Sequence, residues 1–322
     1  MTVPLFRCAF VLPVGLCGLL AACTGGTSDS VVPDSHASDS TSDTGTVVTP
    51  VWTNCHIETS STFHGVYASG EGTYIVGSGG QGWVGTASVG FSAVTPPVTV
   101  DLHDLWGTGS GDTVELYAAG DEGHIEHYAN SAWTDSDLGT NNFEGLGGSG
   151  PSALYSVGWG GIYESDGTNW TFVSPPGQER LNDVWGSAGD AVAVGEDGAA
   201  AVRSGGTWTS STTGVQGGLH SVSGTTASDV WAVGDAGTVL HFDGNAWSVI
   251  AVPTTLTLWG VWAADASDVF AVGDGGLALH YDGSTWTSLP TGVNNNLYAV
   301  HGSSATNVWA VGNLGAAIQY KP

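Results

Sequence analysis

The chain has 322 residues, of which only 11% are charged, against roughly 25% in an ordinary soluble protein. Lys and Arg together number 4 and Asp and Glu 30, a formal charge of −26, so the chain lacks a basic footprint for a phosphate backbone or an anionic lipid surface, and nucleic-acid and polybasic membrane binding are excluded. A hydrophobic share of 41% with 14 Trp excludes a disordered chain, and the 51 Gly are more than twice the usual share.

The first element is an address. Arg7 gives a positive start, an apolar run follows from Ala9 to Leu20, and the run ends in Leu20-Ala21-Ala22-Cys23. The apolar run is too short to span a bilayer as a helix and has the layout of a secretory signal. Its end resembles the lipobox of bacterial lipoproteins. That resemblance implies cleavage before Cys23, lipidation of Cys23 with palmitate-type acyl chains, and stable anchoring by two or three of them. Thr24, in place of Asp, is compatible with sorting to the outer membrane. Residues 24–50 are Ser, Thr, Asp and Gly with few apolar positions, and read as a flexible tether with a mean span of roughly 30 Å. Domain boundaries follow: residues 1–22 signal peptide, 23–50 lipidated Cys and tether, 51–322 the folded domain.

Loss of Arg7 from a chain of charge −26 leaves −27, with Arg180, Arg203 and Lys321 as the only cations. Cys8 and Cys17 leave with the signal and Cys23 carries lipid, so Cys55 is expected as a lone buried thiol without an intramolecular disulfide.

From residue 51 onward the chain repeats. Units start at Phe63, Leu102, Phe143, Leu181, Leu219, Leu258 and Leu297, spaced 39, 41, 38, 38, 39 and 39 residues apart. Each holds four short apolar runs. In the fifth unit these are Leu219–Ser223, Val230–Val233, Thr238–Phe242 and Ala246–Ile250, separated by turns rich in Gly, Asp and Asn. No helical period is present. Four short strands in about 40 residues is the signature of a propeller blade, and seven units predict an all-β, seven-bladed β-propeller of four-stranded blades. A Trp stands 11 residues before the next unit at Trp170, Trp208, Trp247 and Trp286, and 10 before it at Trp133, with Phe91 in the same role. The seventh unit lacks one, and Trp52 stands 11 residues before Phe63. The N-terminal strand around Trp52 is therefore expected to complete the last blade and close the ring, leaving no open sheet edge.

The pattern D-V-[WF]-A-V-G-x-x-G-x-x-L-H-[FY]-D-G-x-x-W, in Asp229–Trp247 and Asp268–Trp286, resembles lipoproteins of myxobacteria-like organisms and tectonin repeats, which form lectin propellers. The D-G-x-x-W turn at Asp166, Asp243 and Asp282 is similar to the Asp-box of sialidase-like propellers, one residue short. Sialidase chemistry clamps a carboxylate with three arginines, and this domain has two.

Motifs constant across blades are read as structural. The outer-strand Trp pack between strands and blades. Asp229, Asp268 and Asn307 are expected to cap turns, as are the D-G aspartates. His127, His241 and His280 sit at matching places in separate blades, too far apart to share an ion with bonds of about 2.0 Å. His124 and His127, three apart on a strand, face opposite ways. No nucleophile elbow, zincin helix, P-loop or EF-hand is present, so no catalytic residues, metal ligands or cofactor are assigned; Ca²⁺ is conceivable on carboxylates without a motif for it.

Positions that vary while the blade stays constant are the better candidates. The second residue of each unit starts the innermost strand: His64, His103, Glu144, Asn182, His220, Trp259 and Tyr298. The turns between second and third strands present Ser78, Asp121, Trp159, Glu196, Asp235, Asp274 and Asn313. Together they describe a rim of imidazole, carboxylate, amide and aromatic groups suited to stacking on a sugar face and bonding its hydroxyls. The reading is a monomeric, lipid-anchored, extracytoplasmic binding module of the bacterial cell envelope, recognising a glycan or an envelope protein through one propeller face. The alternatives are a polysaccharide hydrolase or lyase using rim carboxylates, and a structural envelope-assembly protein. With so few cations, acidic polysaccharides are expected to bind poorly unless Ca²⁺ bridges.

Overall fold

The computed structural model describes residues 51–178 and 180–321. The expected signal peptide, lipidation at Cys23 and tether fall on residues outside the described ones. Within them the chain forms seven four-stranded antiparallel sheets, and no helix is long and apolar enough to cross a membrane. Six sheets take consecutive strands. The seventh takes Leu297–Ser304, Asn307–Gly312 and Ala317–Lys321, and then Val51–Asn54 as its outer strand. The register sets Trp52 opposite Tyr320 and Thr53 opposite Gln319, so the ring closes as the tryptophan spacing predicts.

The second strand of each blade explains the A-V-G signature. In blades 2–7 every residue after the first is buried, because this strand has a blade packed on each face. A strand covered on both sides needs a continuous apolar run rather than alternation. Its last residue is Gly for a steric reason: a Cβ on Gly234 would lie 2.1 Å from the Gly218 carbonyl oxygen. The core is a ring of inter-blade layers. One layer joins Trp231, Val233 and Val239 of blade 5 to Leu258, Val261 and Trp286 of blade 6.

Two structural readings need correction. Asp229 and Asp268 do not cap turns. They reach across to the third strand, where His241 Nε2 and His280 Nε2 lie 2.8 Å away, and Asn307 pairs in the same way with Gln319 at 2.7 Å. The first residue of the second strand thus fixes the third residue of the third, which explains why the repeat keeps both. The D-G aspartates do cap: Asp282 Oδ1 accepts from the Ser284 and Thr285 N–H at 2.9 and 2.8 Å. Cys55 is buried, 2% exposed, but it is disulfide-bonded rather than a lone thiol. The spacing argument assumed that the other three cysteines leave or carry lipid.

Candidate functional site

In all seven blades the register of the first strand slips by one residue between its first and third positions. The residue in the slip is the second one, His64, His103, Glu144, Asn182, His220, Trp259 or Tyr298. A bulge of this kind breaks strict alternation and re-aims a side chain. All seven side chains accordingly line one end of a central channel of about 710 Å³.

The structure joins the two predicted sets into pairs. His64 lies 3.2 Å from Ser78 Oγ, His103 2.9 Å from Asp121, and His220 2.9 Å from Asp235. Trp159 Nε1 donates to Glu144 at 3.0 Å, Asn182 Nδ2 to Glu196 at 3.2 Å, and Trp259 Nε1 to Asp274 at 2.8 Å. Asp121, Trp159, Asp235 and Asp274 are therefore braces behind the mouth, and Glu196 alone of the turn set also lines the channel. In blade 7 Tyr298 instead packs between the rings of His64 and Trp259, at 5.7 and 5.8 Å, while Asn313 Oδ1 is buried without a partner among the described residues.

Around the mouth, rings touch in sequence. His103 and His64 are 5.7 Å apart, His64 and Tyr298 5.7 Å, Tyr298 and Trp259 5.8 Å, and Trp259 and His220 4.3 Å. The other two blades close the circle with polar groups. Arg180 donates to Glu144 at 2.9 Å and lies 3.9 Å from Glu196, with its guanidinium 4.3 Å over the Trp159 ring. The mouth is thus an aromatic arc from five blades and a charged arc from two. Burial, with His103 as a second cause, holds the His64 imidazole below its ordinary value of 6.5. The hydrogen bond from His220 holds Asp235 below the carboxylate range.

Below the mouth sit two half-buried carboxylates, Asp104 and Asp183, that the sequence pattern does not single out. Asp104 accepts from the N–H of Leu105 at 2.7 Å and of Leu146 in blade 3 at 2.8 Å. Asp183 accepts from the N–H of Val184 at 2.7 Å and of Val222 in blade 5 at 2.8 Å. Burial pushes both above the usual carboxylate range, Asp183 further because Asp104 faces it, against the lowering effect of those N–H donors. Each straps its own inner strand to that of the next blade. Ser221 does the same in blade 5 by accepting from the Val261 N–H at 3.3 Å.

At the far end a second set of rings lines the channel: Trp106, Trp185, Trp262 and His301, with Tyr67 5.0 Å from His301. These are fifth residues of their units. Their signal in the sequence is that the fifth position carries a ring in five of the seven units. His127, His241 and His280 do not converge; His127 stacks on Tyr117 at 4.2 Å.

No family model matches the chain, and no curated protein matches it. Solved structures do. YCF48 bound to D1 peptide superposes with a TM-score of 0.68 at 16% identity, over 84% of this chain and 97% of that one. The WD40 repeats of RRP9 give 0.70 at 10% identity, over 84% and 98%. The WD40 propeller domain of Doa1 gives 0.66 at 8%, over 84% and 97%. At such identities the likeness establishes the seven-bladed propeller and nothing finer.

Proposed function

We propose that this protein is a non-catalytic binding module of a bacterial envelope, tethered through lipidated Cys23, which takes its ligand at the channel mouth. The observation that carries the reading is the unbroken arc of five rings facing Glu144, Asn182 and Arg180. Stacked rings accept the apolar C–H face of a sugar, and the amide and ion-paired groups opposite accept and donate to hydroxyls. A peptide carrying aromatic or aliphatic side chains offers the same two kinds of surface, and YCF48 is a propeller of this architecture solved with a peptide bound. The half-buried, mutually braced rings are pre-organised, which reduces the ordering cost of binding.

The mouth carboxylates hold the rim side chains in place. Glu144 already accepts from Arg180 and Trp159, and Asp121 faces His103.

The test is a glycan array beside affinity capture from solubilised envelopes, using wild type, Trp259→Ala and Tyr298→Ala. Selective sugar binding that falls at least tenfold in both variants is expected. A blank array with capture lost in the same variants assigns the mouth to a protein partner. Binding unchanged in both variants overturns the site. Labelling with an alkynyl palmitate analogue tests the tether: label on wild type and none on Cys23→Ser is expected, whereas an intact mass that shows Cys23 of the mature chain oxidised with Cys55 instead of acylated overturns the anchor.

A further inference from the structure

Blade 2 departs from the repeat at one buried position. The position three after the turn's closing Gly, in the third strand, is Leu240 in blade 5, Leu279 in blade 6 and Ile318 in blade 7, each buried in the core. In blade 2 it is Glu126, equally buried at 0% exposure. Both of its carboxylate oxygens are buried without a hydrogen-bond partner among the described residues. Its direct cross-strand neighbour is Asp135, so two carboxylates face each other on one side of the sheet, an arrangement that is unfavourable on its own. His124, two residues before Glu126, shares that face, and its Nδ1 lies 2.9 Å from Asp135 Oδ1. The three donor atoms all fall within 4.8 Å of one another.

We propose that His124, Glu126 and Asp135 form a binding site for a divalent transition-metal ion of the zinc class. An unpaired buried carboxylate is among the most unfavourable groups a core can hold, and a dication between it and Asp135 removes both the lack of a partner and the like-charge contact. The donor set selects the ion. One imidazole nitrogen with two carboxylates suits Zn²⁺, whose bonds of about 2.0–2.2 Å place neighbouring donors a little over 3 Å apart. Ca²⁺ takes six to eight oxygens and seldom nitrogen. The third ligand, Asp135, is exposed, which leaves an entry path and room for water to complete the shell. The sequence did not reveal the site, because Asp135 lies on another strand and the histidine comparison paired His124 with His127.

The experiment uses the full chain, untagged and stripped with chelator, in calorimetric titration and thermal unfolding with ZnCl₂, MnCl₂ and CaCl₂. One Zn²⁺ per chain with a raised Tm is expected, a weaker response to Mn²⁺, and none to Ca²⁺ at equal concentration. Glu126→Gln and His124→Ala should weaken Zn²⁺ at least tenfold, while Asp137→Asn, on the same face but outside the donor set, should not. Glu126→Leu, which installs the residue of blades 5 and 6, should fold at least as stably as the metal-free protein and show no Zn²⁺ shift. An equal Zn²⁺ shift in Glu126→Leu overturns the proposal. So does a wild type without any Zn²⁺ response, which would leave Glu126 and Asp135 as a pair sharing a proton.

Discussion

His301 shows how one half-buried side chain couples the ring to pH. It lies at the far end of the channel, 5.0 Å from the Tyr67 ring and 5.6 Å from Trp262, and its Nδ1 accepts from the Ala68 N–H at 3.1 Å. That bond joins blade 7 to blade 1 and needs an unprotonated Nδ1. Burial pushes the imidazole down to about 4 from its ordinary 6.5. The unfolded chain therefore takes up a proton that the folded chain refuses, so the contribution is complete above pH 6.5 and is lost as pH falls from 6.5 towards 4. A shift of this size amounts to roughly 3 kcal/mol across the window. His301→Asn keeps an acceptor near the Nδ1 position and does not titrate. Denaturant unfolding at pH 7 and pH 4 should show wild type losing about 3 kcal/mol more than this variant; parallel losses would show that the acid sensitivity lies elsewhere.

At the scale of the element, the tight turn between second and third strands decides both stability and site. Its middle residue is left-handed in several blades: Gly79 at φ 69°, Gly275 at 64°, but Ala236 at 52° and Leu314 at 54°. A side chain there costs roughly 1–2 kcal/mol, partly offset by the greater backbone entropy Gly loses on folding. Leu314 is also 56% exposed, so its side chain loses little packing on removal. Leu314→Gly is expected to stabilise the protein by up to about 1 kcal/mol, and Gly79→Leu to destabilise it by a similar amount, read as opposite shifts in Tm. A lowered Tm in Leu314→Gly would mean that the leucine packs more than its exposure implies. The same turns show what the sequence could reveal. Strand order, blade count and the rim residues were legible because spacing and turn chemistry are local. The bracing of His103 by Asp121, or of Trp259 by Asp274, was legible only as two separate sets, because a bulge is a feature of strand pairing. The aspartate-to-histidine bonds of blades 5 and 6 were missed because those partners are 12 residues apart on neighbouring strands.

For the whole molecule the decisive contact is the joint between the two ends of the domain. Sequential hairpins can build six blades independently, but the seventh gains its fourth strand only when Val51–Asn54 docks on Ala317–Lys321. Trp52 anchors that strand: it is buried, packs 5.4 Å from the Tyr320 ring, and joins the core layer of Phe270, Val308 and Ile318. Truncating a buried Trp to Ala typically removes 3–5 kcal/mol. Trp52→Ala carries a further effect that Trp286→Ala, a similarly buried outer-strand Trp within a continuous blade, does not. Once the closing strand frays, Ala317–Lys321 presents an unpaired edge, and exposed edges template association between chains. Both variants should lose Tm by several degrees, but only Trp52→Ala should do so with concentration-dependent light scattering before the transition. The formal charge of −26 opposes that association, so the scattering should grow from 0.01 to about 0.5 M NaCl as repulsion is screened. If the two variants aggregate alike at every salt concentration, the joint is no weaker than any other blade, and the ring is held mainly by its inter-blade layers rather than by closure.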